Sequence, residues 1–194
     1  MYHCTAANLQ NLQTLTQAIN QAADFDTALA VTLSQVCEFT DWDYGEAWIS
    51  DRDDTILKLH SAWCVHTYRE SACVLALEQF RNCSEGFILH PSEGLPGRVW
   101  SSQQPEWMSD ASAESETYFL RNQIAKAFAV KAGLGVPILV NSQMRAVFCF
   151  FMLEARAEDK QLVEFTLAAI TQLRQVLANL LTESDERKQG AGSA

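Results

Sequence analysis

Glu93-Gly94-Leu95-Pro96-Gly97-Arg98-Val99-Trp100 is the stretch whose reading decides the fold. Pro91 and Gly94 turn the chain, Pro96 has the fixed φ that suits a first helical position, and Gly97 lets a second backbone come close. A turn followed by a short helix is therefore expected. A helix N-terminus presents unpaired N–H groups and the positive end of a dipole. Aimed at a cavity it would bind an anion, with Arg98 reinforcing it. The other reading is a turn that only ends a strand and starts a helix, with Arg98 in a structural ion pair.

Downstream, Pro105 precedes a strand-like Glu106-Trp107-Met108, and Glu114 to Phe128 carries Tyr118, Leu120, Ile124 and Phe128 in helical spacing. Gly133 to Val140 and Arg145 to Leu153 read as two strands joined through Asn141-Ser142-Gln143. A last helix, Glu158 to Thr182, places Val163, Ile170, Leu173, Leu177 and Leu180 near heptad spacing. Upstream, the change of period is equally clear. Leu9, Leu12, Leu15, Ile19 and Ala22 draw one stripe on an amphipathic helix, and Thr27 to Thr40 predicts a second helix. Tyr44 to Ser50 and Ile56 to Trp63, separated by the polar Asp51-Arg52-Asp53-Asp54, predict a hairpin. Cys64 to Phe87 has no firm period beyond a helical turn or two at Cys73 to Arg81, and Phe87 to Leu89 reads as a short strand.

Hairpin links imply an antiparallel sheet, and the order of elements gives an α+β architecture. The expected organisation is an N-terminal amphipathic helix over 1–25, one domain over 26–181 ending in a long helix, and a linker or tail over 182–194. The chain of 194 residues is 48% hydrophobic and 20% charged, ordinary usage for one domain able to bury its own core. Its formal net charge is −10 and its 14 basic residues are scattered, so no stripe exists to track a phosphate backbone or an anionic bilayer. Nucleic acid and membrane are not expected partners. Neither an export signal nor an apolar run of roughly 20 residues is present, so a cytoplasmic location is expected. The six cysteines lack the density and pattern of a disulfide scaffold and are expected to be reduced.

Three segments, Asp43-Tyr44-Gly45-Glu46-Ala47-Trp48-Ile49-Ser50, the Gly-Leu-Pro-Gly-Arg-Val-Trp run at 94–100, and Lys131-Ala132-Gly133-Leu134-Gly135-Val136-Pro137-Ile138, resemble successive landmarks of GAF domains in order and spacing. The resemblance covers about 26–181. The run at 94–100 is similar to GAF modules of bacterial, especially cyanobacterial, signalling proteins such as two-component sensor kinases and response regulators. It implies a GAF/PAS-like central antiparallel sheet with terminal helices packed on one face and a small-molecule cavity on the other. It further implies a sensor or regulatory module that relays a signal to a downstream signalling domain. A ligand-free dimerisation or interaction module of the same fold is the alternative, with a redox, haem, iron–sulfur or non-canonical bilin sensor, or a methionine sulfoxide reductase of this fold, less favoured.

Strand alternation puts Glu46, Trp48 and Ser50 on one face and Ala47 and Ile49 on the other, with the larger and more polar set toward the cavity. The expected pocket is lined by Glu46, Trp48, Trp63, Arg98, Trp100, Trp107, Phe148 and Phe150. The ligand is unknown. Bilin-binding relatives attach their chromophore through a cysteine, often followed by histidine, before the strand that opens Lys131-Ala132. Here Ser112 to Arg121 holds neither residue, which argues against covalent bilin attachment. Haem held by His60 or His90 and a cluster held by Cys64, His66, Cys73 and Cys83 are less favoured. The cysteine gaps are irregular where metal motifs use paired steps, so no metal site is assigned. A GAF-type methionine sulfoxide reductase uses cysteines lining the same cavity, and Cys64, Cys73 and Cys83 do not match its motif. No catalytic residues are assigned, and no enzymatic activity is expected.

Ile170, Leu173, Leu177 and Leu180 have the spacing that pairs parallel helices across a two-fold axis. With Leu12, Leu15 and Ile19 of the first helix they form the expected homodimer interface. The same spacing also suits a helix facing its own core.

Overall fold

The computed structural model of the chain describes residues 6–51, 53, 55–66 and 70–191, and side chains between residues 8 and 182. Arg52 and Asp54 of the expected hairpin turn, residues 1–5 of the expected N-terminal segment and residues 192–194 of the tail lie outside the described residues. The elements run α1 (Ala6–Asn20), α2 (Phe25–Phe39), β1 (Tyr44–Ser50), β2 (Leu57–Val65), α3 (Ser71–Ser84), β3 (Ile88–Leu89), α4 (Gly94–Ser102), β4 (Glu106–Met108), α5 (Asn122–Ala127), β5 (Gly133–Val140), β6 (Gln143–Phe151) and α6 (Lys160–Ala191).

The strands form one antiparallel sheet in the order β3-β2-β1-β6-β5-β4. The α+β architecture and both hairpins agree with the sequence reading. In the β5–β6 turn, Asn141 and Ser142 both have positive φ, 52° and 63°, the mirror-image geometry that matches strand twist. α2 starts where Asp24 accepts a hydrogen bond from the Thr27 N–H at 2.8 Å. The Asp159 carboxylate does the same for α6, accepting from Gln161 N at 3.1 Å and Leu162 N at 3.2 Å.

The sheet separates two cores. α1, α2 and α6 pack on one another and cover one face, where Leu15, Ile19, Leu29, Leu33, Val36, Ile170, Leu173 and Leu177 meet Ala47, Leu134, Val136, Phe148 and Phe150. Trp42 closes this core, its indole N–H donating to Thr166 Oγ1 at 3.1 Å. α3, α4 and α5 cover the other face. There α4 lies against β5 because Gly135 has no side chain. A Cβ at that position would fall 2.7 Å from Val99 Cγ2. A Cβ at Gly97 would run into the His90 carbonyl, the close approach expected of that glycine.

Two stretches differ from expectation. The predicted helix over Glu114 to Phe128 is a series of turns followed by the six-residue α5. Asn122 holds the turns by donating its side-chain amide to the Glu114 carbonyl at 2.7 Å, and the Phe119 carbonyl accepts the Asn122 N–H at 2.8 Å. The predicted tail is helical as far as Ala191, since α6 runs for 32 residues without a break.

Candidate functional site

β1 alternates, so Tyr44, Glu46 and Trp48 share one face, while Ala47 and Ile49 face the terminal helices. A glutamate on a strand buried on both sides is costly unless a cation meets it. The cation is Arg121, delivered by the turn that ends at α5. Its guanidinium is bidentate on the Glu46 carboxylate, with Nη2–Oε1 at 2.6 Å and Nη1–Oε2 at 3.2 Å. Neither residue reaches solvent: Glu46 is 0% and Arg121 1% exposed.

The remaining capacity of the carboxylate is also taken. Oε1 accepts from the Trp48 indole N–H at 2.7 Å, and Oε2 accepts from the Tyr44 hydroxyl at 2.8 Å. Arg121 Nη1 donates further to Ser84 Oγ at 3.0 Å. Aromatic rings wrap the guanidinium, with Trp48, Phe80, Phe119 and Phe151 centroids at 5.1, 4.9, 5.4 and 5.5 Å from its carbon. A bulge interrupts the β1–β2 register between Glu46 and Trp48, at the place where both side chains must turn toward one cation.

The electrostatics follow from this enclosure. Burial works against the Arg121 charge, but the adjoining Glu46 carboxylate outweighs it and holds the guanidinium pKa above its ordinary value. Burial, and then the Glu46 charge, pushes the Tyr44 hydroxyl well up, and the same two causes raise the Cys149 thiol. The result is a saturated, charged knot in an aromatic setting.

The eight expected pocket residues divide. Glu46, Trp48 and Trp63 are on the knot's face; Trp63 pairs with Glu46 across the hairpin, lies 6.2 Å from the Tyr44 ring and is 36% exposed. Trp100 packs half-buried against the same core. Trp107, Phe148 and Phe150 are corrected, for they belong to the helix-covered core on the opposite face. Phe148 and Phe150 alternate with Val147, Cys149 and Phe151, and it is the latter set that faces the knot. The Trp107 ring lies 5.5 Å from that of Trp42, tilted by 45°, and its indole N–H donates to the Arg156 carbonyl at 3.0 Å. Arg98 takes its structural role: it pairs with Glu106, Nη2–Oε1 at 2.5 Å, donates to the Tyr118 carbonyl and stacks on the Tyr118 ring.

The residues of the expected dimer stripe pack largely within the chain itself. Leu15, Ile19, Leu173 and Leu177 are 0% exposed and Ile170 is 1% exposed, all inside the chain's own helix layer, and Leu12 and Leu180 pack against that core.

Sequence reasoning missed Arg121, Tyr44, Ser84, Phe80, Phe119 and Phe151. Tyr44 had a signal, being two residues from Glu46 on the same strand face. Arg121 had a weaker one, the unmet need of a buried carboxylate for a cation. Two clefts of about 460 and 480 Å³ lie away from the knot, one at the β5–β6 hairpin end and one beside Asp43, Met152 and Arg156. Among the described residues no group of three or more His, Cys, Asp or Glu side chains is placed to hold a metal, and no helix is long and apolar enough to cross a membrane.

The family model for the GAF domain matches residues 22–182. A GAF domain of a phosphoenolpyruvate-protein phosphotransferase from Coxiella burnetii superposes with a TM-score of 0.70 at 20% identity, covering 93% of this chain and 99% of that one. The GAF domain of the Acinetobacter phosphotransferase gives 0.67 at 18%, covering 93% and 99%. Free methionine-R-sulfoxide reductase from Neisseria meningitidis, solved with its substrate, gives 0.69 at 13%, covering 91% of each chain. At these identities the likeness establishes the fold. The transcription factor GLABRA 3 of Arabidopsis thaliana is 30% identical over 79 residues, 38% of this chain but 12% of that protein.

Proposed function

Because the chain belongs to the GAF domain family, whose members are regulatory and sensory modules of signalling proteins, we propose that it is a regulatory module whose ligand face is occupied by its own Glu46–Arg121 pair. In this reading Arg121 sits where a family member would hold a small molecule, and the domain acts through its surfaces and the position of its helices. The observation that carries it is saturation: the carboxylate accepts from Tyr44, Trp48 and both Arg121 Nη atoms, and four rings enclose the cation. A small molecule entering this face would have to displace a buried, fully bonded ion pair, which is strongly unfavourable unless it replaces every bond.

Output would pass through α6. Its packed part is bonded to the sheet, where Arg174 donates to the Pro137 carbonyl at 2.6 Å, and its 32 residues span about 48 Å. We place the chain in a bacterial signalling protein of the two-component type, with the helix leading to an output domain. A homodimer in this arrangement would use exposed faces of the helix layer, since the heptad stripe itself is buried.

Native mass spectrometry and an absorbance spectrum of protein purified from its own host test the proposal. The expected result is the mass of the polypeptide alone and no visible absorption. A stoichiometric bound molecule would overturn self-occupation and restore the small-molecule sensor reading. Turnover of free methionine sulfoxide would replace both with an enzyme.

A further inference from the structure

On the helix-covered side of the sheet, opposite the Glu46–Arg121 pair, two cysteines distant in sequence meet. Cys64 Sγ of β2 lies 2.8 Å from Cys37 Sγ of α2 and 3.2 Å from the Leu33 carbonyl oxygen, one helical turn back along α2. The sulfur fits there because its cross-strand neighbour is Gly45. A Cβ at that glycine would sit 3.1 Å from Cys64 Sγ. A disulfide bond is about 2.05 Å long, so covalent closure asks for less than about 1 Å of sulfur movement.

The two thiols are not equivalent. Cys37 is 1% exposed, and burial together with the neighbouring Cys64 raises its pKa well above the ordinary thiol value, so it stays protonated. Cys64 is partly exposed and is the less buried of the two residues. Among the described residues, Cys73, Cys83 and Cys149 take part in no comparable sulfur–sulfur contact.

We propose that Cys37 and Cys64 are a redox-active pair that closes reversibly into a disulfide. The Cys64 thiolate attacks the outer oxygen of a hydroperoxide, breaking the O–O bond; the alkoxide leaves and takes up a proton as alcohol, or as water when the reagent is hydrogen peroxide. Cys64 becomes a sulfenic acid. Cys37 sulfur then attacks the Cys64 sulfur, losing its proton while the sulfenic hydroxyl leaves, and the two combine as water. Two thiols and one hydroperoxide give one disulfide, one alcohol and one water. A dithiol of the thioredoxin class returns both sulfurs to thiols. Closure bolts α2 to β2, and because α2 packs on α6, oxidation stiffens the layer through which the domain would signal.

The full chain, oxidised with hydrogen peroxide, alkylated and digested without reduction, tests the pair. The expected product is one cross-linked peptide joining Cys37 to Cys64, together with a rise in Tm on the order of 5–10 °C that dithiothreitol reverses. A disulfide between other cysteines, or Cys37 and Cys64 both remaining alkylatable while Cys83 is oxidised, overturns it. Cys37→Ala, a small change checked for folding by circular dichroism, is expected to leave Cys64 as a sulfenic acid trapped by dimedone, with no rise in Tm. A Cys37→Ala protein that still gains the Tm increase on oxidation overturns the assignment independently.

Discussion

The two faces of the sheet are held together by different physics. Behind the terminal helices the meeting side chains are mostly alanine, leucine, isoleucine, valine and phenylalanine, with indole hydrogen bonds from Trp42 to Thr166 and from Trp107 to the Arg156 carbonyl. On the other face a glutamate and an arginine, both out of solvent, are fixed by Tyr44, Trp48 and Ser84 within a ring of aromatic side chains. Apolar burial is non-directional and tolerates exchange among side chains of similar volume. A buried ion pair is strongly directional and fails when one partner is lost. The first face therefore supplies cohesion, and the second fixes one arrangement of β1, α3 and the turn before α5.

The sharpest way to break this contrast is Arg121→Ala. It leaves the Glu46 carboxylate buried without a cation and should cost about 3–5 kcal/mol, a fall in Tm of roughly 6–20 °C by differential scanning calorimetry. Combining it with Glu46→Leu should cost less than the sum of the two single changes. An additive double variant would mean that the pair is not coupled.

On the helix face, Leu173→Ala should cost about 2–5 kcal/mol in urea unfolding, by lost transfer energy and a cavity, with no dependence on protein concentration. A loss that appears only on dilution would instead return Leu173 to a subunit interface. Between the faces, Gly135→Ala pushes a methyl into Val99 and Leu95 and should destabilise by roughly 1–3 kcal/mol, read from the urea midpoint. An unchanged midpoint would mean that α4 is free to move off β5.

The smallest effect concerns alkali. The Tyr44 hydroxyl and the Cys149 and Cys37 thiols have folded pKa values above their ordinary 10.0 and 9.0, so each favours folding while protonated. In the unfolded chain these groups release protons first as pH rises. Their contribution is full below about pH 9 and is lost as pH climbs through the folded values. Tyr44→Phe should reduce the alkaline slope of stability above pH 10 and remove one hydrogen bond, worth about 1 kcal/mol at pH 7. An identical slope in wild type and variant would show that Tyr44 ionises freely.

Periodicity and turn chemistry were enough for most of the architecture. Alternation in Tyr44 to Ser50 assigns faces correctly, because a strand's side-chain period of two has no competing solution. Asn141 marks its hairpin as a residue that tolerates positive φ. Where the reading failed, local signals served two outcomes. Tyr118, Leu120, Ile124 and Phe128 have helical spacing, yet the chain there turns to bring Arg121 under the sheet. Ile170, Leu173 and Leu177 have heptad spacing, which suits a partner helix in another chain or in the same one. Phe148 and Phe150 are aromatic like pocket walls, but their parity on β6 sends them to the helix side.

What the sequence by itself determined is the α+β order, the antiparallel hairpins and the place of Glu46 and Trp48 on one face, all consequences of contacts between residues near in the chain. Only the tertiary structure decided what meets that face. Glu46 and Arg121 are 75 residues apart, and Cys37 and Cys64 are 27 apart. Such pairs leave no periodic trace, since their meeting depends on how the whole sheet and its covering helices close.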